Sequence, residues 1–283
     1  MTPPVPEYVR PRDLAEALDA RAAHPAWMVL AGGTDLMVNA NHRAVPTGIL
    51  DLWRFAPIGF VRVTDSAITI GAGTTWREVE GHPAIQRRLA PLAAAAREIG
   101  ALQIQARGTL GGNVGTSSPV GDSLPVLLAL DAELEVASVR GERRVAYRDW
   151  CTGYRKTQLA ADELILAAHI PVPGAATRTA WRKIGTRRAQ SISKVMGAAA
   201  ITLDAGVVTG ARVALGAVAE RPVRIAAVEA AVRGLPLGPQ AADAARAALR
   251  TAIQPIDDVR STAAYRREVA ENLVARFFAA PVA

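Results

Sequence analysis

The sequence predicts an α+β protein built as two successive lobes, on three observations. The chain has 283 residues, half of them apolar, which is enough for two compact cores and too hydrophobic for disorder. Its first 174 residues mix short strand-like runs, bounded by glycine and proline, with segments of helical periodicity. Its last third sets three strand-like runs before two amphipathic helices, the order expected of a sheet backed by helices.

The elements follow in chain order. Residues 12–23, RDLAEALDARAA, carry leucine and alanine at helical spacing, and AWMVLA, 26–31, reads as a strand that breaks at the Gly32-Gly33 pair. LMVNANHR, 36–43, opens a short helix, while GILDLWR, 48–54, and AITIGAG, 67–73, read as strands. Residues 75–99 give two helices split at His82-Pro83, because proline disfavours a helical residue before it. After a glycine-rich stretch, LPVLLALDA, 124–132, is a short buried helix. ELEVASV and RRVAY then form a strand pair around RGE, and ELILAAHIPVP is a strand ending at prolines. Pro171, Pro173 and Gly174 mark the lobe boundary, so the expected domains are 1–175 and 176–283. Beyond them TAWRKIGT, KVMGAAAITLDAG and VVTGARVALGAVA read as a three-stranded sheet, the last two strands joined by the hairpin signal DAG. PQAADAARAALRTAI and TAAYRREVAENLVARFF supply the helices.

Composition narrows the function. The single cysteine, Cys151, cannot form an intrachain disulfide or hold an iron–sulfur cluster, and four scattered histidines show no paired metal-ligand spacing, so a redox cofactor here would be organic. The net charge of +7 comes from 33 basic and 26 acidic residues dispersed along the chain, without the motifs or aromatic platforms of nucleic-acid binding. That excess suits an anionic ligand or an acidic partner subunit. No apolar run is long enough for a membrane span and the first residues do not read as a secretory signal, so the expected location is cytoplasmic.

Two segments, AGGTD at 31–35 and GTLGGN at 108–113, each place adjacent glycines after an apolar stretch. Glycine pairs let successive backbone N–H groups converge on an anion and let a ligand approach the main chain, so two such turns could grip a dinucleotide diphosphate without a cationic side chain. Either turn could equally be structural. The chain has neither a P-loop nor a G-x-G-x-x-G motif opening a βαβ unit.

VLAGGTDLMV, ARGTLGGNVGTSSPVGD, LLALDAELEV, GYRKT, DELILAAHIPVP and STAAYRREVAENLV resemble, in that order and across nearly the whole chain, the FAD-binding medium subunit of molybdenum hydroxylases such as xanthine dehydrogenase and carbon monoxide dehydrogenase. The resemblance implies an FAD-binding domain of the vanillyl-alcohol-oxidase-like type, with two subdomains at about 1–57 and 58–175 and the flavin between them. A C-terminal α+β domain follows.

It also implies site residues. The first loop, Met28, Val29, Leu30, Ala31, Gly32, Gly33, Thr34, Asp35 and Leu36, would wrap the FAD diphosphate, with Gly32, Gly33 and Thr34 nearest it; Asp35 serves there or as a helix cap. In the second block Thr109, Gly112, Asn113 and Thr116 match cofactor-contacting positions, with Gly108 and Gly115 in the same turn. Asp122 matches an acid that hydrogen-bonds the cofactor, a sugar hydroxyl being its sensible partner; the other reading is a cap for SLPVLLAL. Ile165 stands where relatives place an apolar residue against the ring. Lys183, one of only three lysines, matches a lysine beside the flavin; its other reading is a snorkelling strand lysine. An ammonium at the ring would raise the flavin potential.

By resemblance, the chain passes electrons through FAD to an external acceptor. They come from the [2Fe-2S] clusters of a small subunit, after substrate oxidation at the molybdenum cofactor of a large subunit, in an assembly that is a dimer of heterotrimers. The chain lacks the four-cysteine insertion of some relatives. Two alternatives stand beside this reading: an FAD-free scaffold subunit, and an independent flavin oxidoreductase of the same fold, for which the sequence shows no committed acid or base.

Overall fold

A computed structural model describes residues 6–42, 44–187 and 190–279. Three larger sheets succeed one another along the chain, and a two-stranded one, Cys151–Gly153 with Lys156–Thr157, falls within the span of the second. The first is parallel, in the order Glu7–Val9, Gly48–Asp51, Met28–Leu30, with the helix Leu14–Ala23 between its outer strands in sequence. Asp13 caps that helix by accepting the Glu16 N–H at 2.9 Å.

The second sheet is antiparallel and five-stranded, ordered Val61–Val63, Ala67–Gly71, Leu164–Pro171, Glu133–Ser138, Gly141–Ala146. One face packs on a helical layer through Ile68, Ile70, Trp76, Val79, Leu92 and Leu127. The opposite face meets the first sheet through Leu50, Leu52, Ile58, Ala72, Leu164 and Leu166. The sequence gives two helices over 75–99, whereas the structure has three: Trp76–Gly81, Pro83–Arg88 and Ala90–Glu98. The additional break falls at Leu89, just ahead of Pro91, because proline is accommodated in a first helical turn and not in an interior.

The third sheet holds the three expected strands, Thr177–Ile184, Val195–Asp204 and Val207–Gly216, and adds a fourth of two residues, Val223–Arg224. Its central strand is buried on both sides. Val195, Ala199 and Ile201 join the core under the C-terminal helices, while Ala198 and Ala200 join the core of the preceding sheet. Alternate residues of a strand face opposite ways, and alanine on one face leaves room for the helix Leu124–Ala129 to lie close. The helix Ala226–Val232 joins Pro239–Ala252 and Ala263–Phe278 in the backing layer.

Candidate functional site

A cavity of about 600 Å³ lies where the first two sheets meet, and both glycine segments form its wall. The first is a loop, as its sequence suggests. After the strand Met28–Leu30 the chain turns through Gly33 at φ +77°, and the Met37 N–H returns to the Gly33 carbonyl at 2.9 Å. Gly32 must be glycine for another reason: a Cβ there would lie 1.7 Å from the carbonyl oxygen of Arg107, so the two glycine segments touch.

The second segment differs from the sequence reading. Gly111 and Gly112 do not form a turn; they sit in the first turns of a helix, Leu110–Thr116, whose N-cap Thr109 accepts the Gly112 N–H at 3.0 Å. Neither has a positive φ. Gly111 packs on the second sheet, where a Cβ would come within 2.6 Å of the Ala72 Cβ, and Gly112 faces the cavity. Glycine serves here for close approach, and of the two segments only the first turns through a positive-φ glycine.

Fourteen of the eighteen residues singled out from sequence border this one cavity. From the first loop they are Val29, Ala31, Gly32, Gly33, Thr34, Asp35 and Leu36; from the second block, Gly108, Thr109, Gly112, Asn113, Gly115 and Thr116; and, from the strand Leu164–Pro171, Ile165. Asn113 accepts a hydrogen bond from the Ser123 hydroxyl at 2.7 Å, which fixes which end of its amide remains for a ligand. Asp35 pairs with Arg155 at 2.8 Å, and both border the cavity.

Four are not in the wall. Met28 and Leu30 flank Val29 on a strand, so their side chains take the other face. Asp122 and Lys183 are paired with each other. Their Oδ2 and Nζ lie 2.6 Å apart, and Lys183 also donates to the Glu98 carbonyl at 3.1 Å. Ser193 donates to the second Asp122 oxygen at 2.5 Å. Asp122 therefore caps no helix, and Lys183, only 3% exposed in its side chain, does not snorkel. Burial raises the Asp122 pKa, with Lys183 and Ser193 opposing that shift. The pair adjoins the cavity through Gly121, and Lys183 borders a second cleft with Arg182, Arg187 and Arg276.

Several bordering residues had no signal in sequence. Arg21 comes from the last turn of the helix Leu14–Ala23, and Trp27 precedes the first strand. Arg155, within the quoted GYRKT, sits at a tight turn with φ +53°. Glu163 is gripped by Arg143 through two contacts of 2.7 Å, and that guanidinium holds its carboxyl below the usual range. A depressed carboxyl pKa contributes stability that is present above the unfolded value and lost as pH falls through the folded one. Glu163→Gln is therefore expected to flatten the acid limb of the stability profile, read as Tm against pH; an unchanged acid limb would remove the pair from the account.

Among the described residues no group of three or more His, Cys, Asp or Glu side chains is placed to hold a metal ion, and no helix is long and apolar enough to cross a membrane. The cavity suits a ligand with both polar and apolar parts: its wall combines glycine backbone and hydroxyls with apolar Val29, Leu52, Ile104 and Ile165.

Residues 4–173 match the family described as the FAD binding domain in molybdopterin dehydrogenase, and residues 180–280 match the CO dehydrogenase flavoprotein C-terminal domain. The chain is 31% identical to the nicotinate dehydrogenase FAD-subunit of Eubacterium barkeri, over 96% of this chain and 94% of that one. It is likewise 31% identical to a putative xanthine dehydrogenase FAD-binding subunit of Escherichia coli K12, over 98% and 96%. Its fold superposes on a chain of carbon monoxide dehydrogenase from Hydrogenophaga pseudoflava with a TM-score of 0.92, at 29% identity and covering 98% and 96% of the two chains.

Proposed function

Since this chain belongs to the family of FAD-binding medium subunits of molybdenum hydroxylases, we propose that the cavity between its first two sheets holds FAD in a complex with a molybdenum-cofactor large subunit and a [2Fe-2S] small subunit. The observation that carries the reading is the contact between the two glycine segments. Gly32 lies under the Arg107 carbonyl, and Gly33, Thr34, Gly112 and Asn113 border the same space, so backbone and small polar groups replace side chains where a diphosphate needs close approach. Bound there, FAD would supply the redox chemistry that links the clusters to an external acceptor.

The chain's own part is to bind and orient. The first loop, 31–36, would take the diphosphate; Thr109, Asn113 and Thr116 would hydrogen-bond phosphate or ribityl oxygens, and Ile165 would pack on the ring. Ile165 borders the cavity beside Gly115, its Cδ1 lying 3.5 Å from where a Cβ on Gly115 would be, which supports that role. Met28 and Leu30 shape the loop from behind, and the Asp122–Lys183 pair stiffens the wall at Gly121. With one cysteine, this subunit receives its electrons from another chain. The FAD-binding domain spans 1–175 and the C-terminal domain 176–283, the assembly is a dimer of heterotrimers, and its compartment is the cytoplasm.

Purified from its own cells, the chain is expected to bring about one molybdenum and about four irons per FAD, the content of one molybdenum centre and a pair of [2Fe-2S] clusters. Native mass spectrometry is expected to give two copies of each of three subunits. A flavin-bearing chain that carries neither metal would instead make it an independent oxidoreductase.

A further inference from the structure

Four charged side chains border the cavity: Arg21, Asp35, Arg155 and Glu163. Arg155 is paired with Asp35 and Glu163 with Arg143. Arg21 has no carboxylate partner among the described residues. Among the described residues its side chain has one hydrogen bond, from Nη1 to the Trp27 carbonyl at 3.0 Å, and its buried Nε has no acceptor. Burial lowers its pKa with no anion opposing the shift. A guanidinium remains charged in proteins, and a desolvated charge with unmet donors is costly unless something pairs with it.

The position of Arg21 is built. Trp27, whose carbonyl holds it, is fixed between two surfaces: the His24 ring stacks on the indole at 3.9 Å, and a Cβ on Gly48 would come within 2.2 Å of the same ring. The strand Met28–Leu30 then leads from Trp27 to the glycine loop, about 10 Å for three residues. Arg21 and Trp27 reach the cavity from the helix and strand of the first sheet, whereas Ile165 comes from the second sheet and Thr116 from the helix Leu110–Thr116. With the ring beside Ile165 and Thr116 and the diphosphate at the glycines, as proposed above, Arg21 is left for the remaining part of the molecule.

We propose that Arg21 anchors the AMP half of the bound flavin nucleotide, its Nε and free Nη groups donating to phosphate or adenine acceptors. The assignment rests on the FAD reading of the cavity and deepens it: the diphosphate grip is backbone, and the one unpaired cation of the cavity is kept for the adenosine end.

The test uses the full chain stripped of flavin, with binding followed by flavin fluorescence and by competition. Arg21→Met is expected to weaken FAD and ADP alike by about 10- to 100-fold, the range of a charge-assisted hydrogen bond, and to leave FMN binding unchanged. Arg21→Lys, which keeps the charge, is expected to recover part of the loss. Competition by adenosine separates the acceptors: a loss shared by adenosine assigns the adenine, and a loss confined to ADP assigns the phosphate. Wild-type affinity for FAD and ADP in Arg21→Met overturns the proposal, as does an equal loss of FMN, which would make Arg21 only a brace for Trp27. A wild-type chain that binds no FAD overturns the cavity reading as well, and so tells the two failures apart.

Discussion

Replacing Gly112 with valine is expected to abolish FAD retention while the chain stays folded. Gly112 borders the cavity, and a Cβ there would lie 3.0 Å from the Thr109 hydroxyl, already tight. The two γ-carbons of valine would project into the ligand space or push Thr109 off the N–H it caps. The expected loss is at least 100-fold in affinity, roughly 2.7 kcal/mol, enough to strip flavin during gel filtration. Gly111→Val is the informative contrast. Its side chain would strike the Cβ and carbonyl of Ala72 at 2.6 and 2.8 Å, inside the packing of helix on sheet, so that variant is expected to lose its fold. Full flavin content in Gly112→Val would remove the second segment from the site.

Lys183→Met is the second large effect. Lys183 and Asp122 are both buried, and removing one partner of such a pair costs about 3–5 kcal/mol, because the other charge is left in a poorly solvating place. The double variant Asp122→Asn with Lys183→Met is expected to recover most of that loss in denaturant unfolding. In the single variant burial raises the Asp122 carboxyl further. A carboxyl whose folded pKa exceeds its unfolded one loses stability as pH rises between the two, so the deficit is expected to shrink on acidification. Where the Asp122 carboxyl stays ionised, losing the ammonium leaves a negative charge near Gly121 and is expected to lower the flavin potential. Unchanged stability would contradict the buried pair; an unchanged potential would place the pair too far from the ring to tune it.

Much of this architecture is legible in the sequence, and what is not has identifiable physical causes. The third sheet follows from KVMGAAAITLDAGVVTGARVALG because an alternating, buried run and a tight turn specify a hairpin locally. Glu7–Val9, Val61–Val63 and Val223–Arg224 escape such reading, since two or three residues cannot show a period and their pairing depends on distant strands. Glycine-rich composition marks 108–116 as special without saying how. That Gly111 and Gly112 lie in a helix is decided by Ala72 and Thr109, one of them far away in sequence. Asp122 and Lys183 each carry a separate signal in the sequence; that they bond each other depends on packing between positions 61 residues apart. Arg21 ends an ordinary amphipathic helix, and only the arrangement of strands around it makes its charge unusual.

Whether this cavity holds FAD is read from the visible spectrum of the purified chain, with chromatography of the ligand released on denaturation. Occupancy by FAD predicts a flavin spectrum and the release of FAD, close to one per chain. A colourless protein that also fails to take up added FAD would contradict it and would leave a scaffold subunit that keeps the fold without the cofactor.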